Sequence, residues 1–83
     1  MKLYEQLKLI NKYTSVVIEC NYKSRTEYYD GRVEVKEWIE TLHDGILHNM
    51  DFTKFFDAMC YEVDGIYPHG RQLYIKCHHE YKD

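Results

Sequence analysis

Between Thr14 and Tyr22 the chain alternates regularly enough to dictate its own local geometry. Val16, Ile18, Cys20 and Tyr22 fall on one side, and Val17, Glu19 and Asn21 on the other. A period of two belongs to a β-strand, whose successive side chains point to opposite faces, so one face of this segment has to be buried. A lone strand is not stable, and the remaining sequence is therefore read as what pairs with it and what covers it. With 83 residues there is material for one core and one domain, 1–83, because a fold of this size buries only roughly 60% of the surface its unfolded chain exposes.

Upstream, Leu3, Leu7 and Ile10 recur at helical spacing among Lys, Glu, Gln and Tyr, which predicts a short amphipathic helix over 2–11. Downstream, Lys23-Ser24-Arg25 reads as a polar break, after which Thr26, Tyr28, Tyr29 and Val33 resume strand chemistry and complete a hairpin, with Asp30-Gly31 marking a bulge or turn near its end. Val35, Trp38, Ile39 and Leu42 follow at i, i+3, i+4 and i+7, with Lys36, Glu37 and Glu40 opposite. That spacing predicts a second amphipathic helix, anchored to the sheet by Trp38 and closed at Asp44-Gly45. From Asp51 onward Phe52, Phe55, Phe56 and Met59 repeat it, either as a continuation or as a separate helix. Tyr61 to Tyr67, the turn Pro68-His69-Gly70 and Leu73 to Cys77 predict a second hairpin, followed by a polar, fraying tail from His78 to Asp83. The expected architecture is α+β, in the order α-β-β-α(α)-β-β: a four-stranded antiparallel sheet of two hairpins with helices packed on one face, its strand order open.

Composition narrows the classes of function. A hydrophobic fraction of 45% with 16% aromatic residues supports a packed core despite 30% charged residues. No apolar run is long enough for a membrane span, and the opening residues lack the apolar block of a signal peptide, so a cytoplasmic protein is expected. Three cysteines without paired spacing fit reduced thiols. Eleven basic residues against fourteen acidic ones leave a charge of −3, which disfavours direct nucleic-acid binding.

No constellation of residues reads as catalytic. Cys77-His78-His79, with Cys60, His43, His48 and His69 elsewhere, is the one group with metal-ligand chemistry, but on a strand only Cys77 and His79 share a face, and no C-x-x-C or H-x-x-x-H pair accompanies them. Cys20 and Cys60 read as core, and Cys77 and His78 point apart, so a thiol nucleophile has no base. The glycine patterns that cradle phosphates are missing, and no carboxylate pair sits among apolar residues. No catalytic, cofactor or metal residue is assigned, and the chain reads as a non-enzymatic binding module.

The nine tyrosines supply the positive signal. Tyr22, Tyr28, Tyr29, Tyr61, Tyr67 and Tyr74 lie on or near expected strands and are too many for so small an interior; tyrosine, large and apolar with a polar tip, is common at protein interfaces. Since strand neighbours alternate, Tyr28 or Tyr29 should face solvent, in the company of Glu27, Asp30 and Arg32. Glu34, Glu37 and Glu40 form the solvated face of the expected middle helix and are the nearest approach to the carboxylate array of a DNA mimic. Tyr28, Tyr29, Glu34, Glu37 and Glu40 are thus the candidate partner-binding residues. The alternative is single-stranded nucleic-acid binding by base stacking on strand tyrosines, for which only Lys23, Arg25, Arg32 and Arg71 offer nearby positive charge.

Three stretches carry a resemblance. The opening Met1-Lys2-Leu3-Tyr4-Glu5-Gln6-Leu7, the step Tyr29-Asp30-Gly31-Arg32-Val33 and the run Glu62-Val63-Asp64-Gly65-Ile66 occur in an order that resembles small proteins of bacteriophages and bacterial mobile elements, with their M-x-L-Y-E-x-L openings and Y-x-G-x-V steps. Compared with those proteins, the chain carries extra sequence between Leu42 and Phe55. The resemblance implies a bacterial host cytoplasm and a protein partner such as a CRISPR effector complex, blocked by direct binding in the manner of anti-CRISPR inhibitors. No signature residue of those inhibitors carries over.

Overall fold

The alternating segment is the spine of the fold. In a computed structural model describing residues 1–82, it lies within strand β1, Ser15–Glu27, flanked by β2, Val33–Ile46, and by β4, Gln72–Lys82, with β3, Glu62–His69, outermost. The sheet order is β2-β1-β4-β3. β1–β2 and β3–β4 are antiparallel hairpin pairs. The all-antiparallel expectation is corrected at the join, because β1 and β4 run parallel from Val16 opposite Leu73 to Arg25 opposite Lys82. The reason is the path of residues 47–61: they cross beneath one sheet face and enter at the far edge, so the second hairpin turns back with β4 beside β1.

One face of this mixed sheet is covered. The helix α1, Leu3–Lys8, buries Leu3 and Leu7, while Leu47, Met50, Ala58 and Tyr61 come from the crossing segment with its short 3-10 turns, Leu47–Asn49 and Asp57–Cys60. They close over Val16, Ile18, Cys20, Ile75 and Cys77, all wholly buried. Ile18, Ile75 and the partly buried Ile66 form a row across three strands. Glu62 clips the start of α1 to β3, accepting Lys2 Nζ at 2.6 Å and the terminal amine at 3.3 Å, and these cations, Lys2 first, pull its carboxyl below the usual glutamate range.

The middle of the chain departs from its sequence pattern. β1 runs straight through Lys23-Ser24-Arg25, and the hairpin turns instead at Tyr28–Arg32, where the Tyr28 amide donates to the Arg32 carbonyl at 2.9 Å and the Gly31 amide to the Tyr28 carbonyl at 3.0 Å. Gly31 has φ +87°, a left-handed conformation that glycine adopts without penalty, which gives the Tyr-x-Gly-x-Val step a structural purpose. Residues 35–42 form no helix; they are the middle of β2. Val33, Val35, Trp38, Ile39 and Thr41 are strand-favouring types, and β1 supplies a ladder of partners that an isolated short helix lacks. Leu42 still reaches the core: alternation puts it on the same face as Trp38 and Glu40, opposite the core-facing residues of β1, and it is itself the unpaired residue of a bulge opposite Ile18/Glu19.

Residues 51–59 form turns rather than a helix. The amides of Ala58, Met59 and Tyr61 donate to carbonyls three residues back, the tighter winding expected where Phe, Thr and Asp, weak helix formers, dominate. The tail does not fray over its described length, since β4 continues to Lys82 along β1.

Candidate functional site

Alternation assigns every strand residue to the covered face or to the open one. On the open face lie Glu19, Asn21, Lys23 and Arg25 of β1, Val35, Glu37 and Ile39 of β2, and Tyr74, Lys76, His78 and Glu80 of β4. Val35 and Ile39, which helical spacing placed toward a core, are 49% and 66% exposed. A groove of ≈ 630 Å³ runs along this face, bordered by Asn21, Lys23, Glu37, Ile39, His78 and Glu80. Nearby polar contacts hold the surface in shape. His78 Nδ1 meets Asp64 Oδ1 at 2.5 Å, the Lys76 ammonium lies 5.9 Å from the centre of the Tyr67 ring, and the Gln72 amide donates to Ser15 Oγ and Asp44 Oδ1, each at 3.1 Å. The result is a face on which Ile39 and Val35 stand exposed on either side of Glu37, among charges of both signs.

On the covered face, beyond the reach of α1, an aromatic row crosses the sheet. Trp38 stacks on Tyr22 with centroids 5.4 Å apart, Tyr81 stacks on both, and His79 stacks on Tyr61 at 4.3 Å. Trp38 is 37% exposed, so it joins no helix to the sheet and ends the row at the β2 edge. Tyr22 and Tyr61 are buried, and burial pushes both phenols up, Tyr61 to about 12 and Tyr22 further.

Tyr28 and Tyr29 sit at the hairpin turn, so strand alternation does not choose between them. Tyr29 is fully exposed at the tip; Tyr28 is exposed in part, donates to Glu34 Oε2 at 2.7 Å and lies with the Arg32 guanidinium 4.9 Å from its ring centre. The Tyr28 hydroxyl, followed by Lys36, holds the Glu34 carboxyl below the usual range. Glu34, Glu37 and Glu40 do not form one array. A spacing of three gathers them on a helix, whereas on a strand Glu34 and Glu40 share a face with Lys36 between them and Glu37 points to the other.

The thiols and imidazoles are also dispersed. Cys20 and Cys77 are register neighbours in the core, where burial, first among the causes, raises both thiols above their ordinary range and away from nucleophilic reactivity. The Cys77 thiol donates to the Glu19 carbonyl at 3.6 Å. Cys60 is exposed rather than core, because its 3-10 turn lies at the rim of the covering layer. His78 and His79 point to opposite faces, and among the described residues no three His, Cys, Asp or Glu side chains gather as a metal site. Among the described residues no helix is long and apolar enough to cross a membrane.

The groove residues Asn21, Lys23, His78 and Glu80 carried no motif, although the alternation Val33-Glu34-Val35-Lys36 was a legible sign of a strand with an open face. Compared with known proteins, the chain matches no family model, no curated protein and no solved structure.

Proposed function

We propose that the chain is a non-enzymatic protein-binding module that docks its partner on the open sheet face and the projecting β1–β2 arm. The supporting observation is the one-sided covering of the sheet. Ile39 stands exposed in the groove among Lys23, Glu37, His78 and Glu80, and Val35 stands exposed beyond Glu37 on the same face, apolar side chains within a polar surround as in a protein interface. The arm adds Tyr29 as an exposed aromatic at its tip. The narrower reading, inhibition of a bacterial CRISPR-type effector nuclease by direct binding, draws its support from the resemblance of the opening and of the Tyr29–Val33 step to phage proteins.

The test is a titration of purified effector complexes with the protein, reading both binding and target cleavage. Asn21→Arg, which fills the groove floor from an interior strand, should abolish binding, and Tyr29→Ala should weaken it by about 2 kcal/mol or more, as expected of an aromatic anchor. Both should leave the melting temperature nearly unchanged. Salt-sensitive retention of labelled single strands, with no effector bound, would replace this reading with base stacking on the aromatic row.

A further inference from the structure

The two edges of the sheet are treated differently. β3 is blunted: it is short, bulged between Val63 and Gly65, carries Pro68, and is capped where Lys2 bridges Glu62 and the Val63 amide donates to the Met1 carbonyl at 2.9 Å. These are the devices that keep an edge from pairing. β2 has fourteen residues, no proline, and among the described residues no strand on its outer side.

The hydrogen-bonding phase of that edge is readable. Tyr28 and Arg32 are bonded through their backbones, so pairs alternate from there, and the N–H and C=O groups of Val33, Val35, Glu37, Ile39 and Thr41 point away from β1. They form a regular template that ends at the bulge.

We propose that two copies of the chain pair antiparallel along this edge about a twofold axis at Trp38, joining their sheets into one. The order of charges and the bulge together select this register: about Ile39 no like charges meet either, but Val35 would face His43 beyond the bulge, which limits that ladder to Glu37 through Thr41. About Trp38, each Lys36 faces Glu40 of the second copy, Glu37 faces Ile39, and Val35 faces Thr41, with no like charges opposed. About Glu37, that residue meets its own copy and Glu34 meets Glu40; about Lys36, two ammonium groups collide. About Val35, Glu34 and Lys36 would match, but the ladder runs into the Tyr28–Arg32 turn after Glu37. Directly opposed like charges disfavour a register, so Lys36 and Glu40 act as selectors rather than as simple blocks to pairing. Trp38 falls at a non-hydrogen-bonded position, where opposed side chains approach most closely. The half-exposed ring that ends the Tyr81–Tyr22–Trp38 stack would there meet its symmetry mate and continue the row. This pairing uses the edge, not the open face, and stands independently of what that face binds.

Sedimentation velocity on the whole chain, from about 1 μM to about 1 mM, tests it. The unmodified protein should pass from monomer to dimer within that range. Lys36→Glu places glutamate against Glu40, and Glu40→Lys places lysine against Lys36, so each variant alone should associate about tenfold or more weakly. The double variant Lys36→Glu/Glu40→Lys should recover association, and an equimolar mixture of the two single variants should form heterodimers, which a merely structural role for either side chain would not produce. A protein that stays monomeric throughout overturns the proposal, as does a dimer indifferent to the exchanges. If a single variant fails to fold, the unmodified protein and the double variant decide the matter.

Discussion

Ile75 offers a direct test of which face of the sheet is core. It is wholly buried, opposite Ile18 on β1 and Ile66 on β3, so truncation leaves a cavity that the rigid sheet cannot close. Ile75→Ala should cost about 2–5 kcal/mol. A chain of 83 residues has a total stability of about 4–12 kcal/mol at roughly 0.05–0.15 kcal/mol per residue, so the loss is a large share, and the melting temperature should fall by at least roughly 10 °C. Phe56 is the contrasting case: its side chain is larger and lies on the apolar stripe of helical spacing in the sequence, yet it is 74% exposed. Phe56→Ala should cost about 0.5 kcal/mol or less. Urea melts followed by circular dichroism give both values, and Ile75→Val, at about 0.5–1.5 kcal/mol, serves if the alanine variant is unfolded. A Phe56→Ala loss equal to or above that of Ile75→Ala would refute the assignment of faces and restore a helix over 51–59.

Two further outcomes follow from burial. In native protein a thiol reagent should modify Cys60 rapidly and Cys20 and Cys77 only at the rate of unfolding, with all three reacting fast in denaturant; fast native labelling of more than one thiol would contradict the buried pair. On the alkaline side, the folded state keeps the Tyr61 proton up to about 12, while an unfolded tyrosine releases it near about 10. The folded pKa is the higher one, so the stability this contributes is fully present below the ordinary tyrosine value and is lost as pH rises through the folded value. Absorbance titration should show a late tyrosine fraction ionising together with loss of the fold; ionisation of every tyrosine near the ordinary value in intact protein would be inconsistent with the aromatic row.

The sequence alone determined the elements whose local pattern has a single reading. Ser15 to Tyr22 alternates and is a strand; Leu3 and Leu7 share a helical face and are buried; the expected second hairpin forms, although Pro68 and His69 belong to β3 and the turn itself is Gly70-Arg71. The α+β class was legible on the same basis, whereas alternation was expected to expose one of Tyr28 and Tyr29, and both are exposed because they lie in the turn. Val35, Trp38, Ile39 and Leu42 fit two periods at once, helical by spacing and β by residue type, and only β1 as a neighbour, offering a ladder along almost the whole of β2, decided between them. That decision separated Glu37 from Glu34 and Glu40, exposed Ile39 and moved Trp38 from an anchor to an edge. The parallel join of β1 and β4 had no local sign either, because it depends on where the crossing segment re-enters the sheet. Local periodicity fixes which side chains share a face, whereas long-range pairing fixes which face is buried and which edge stays free.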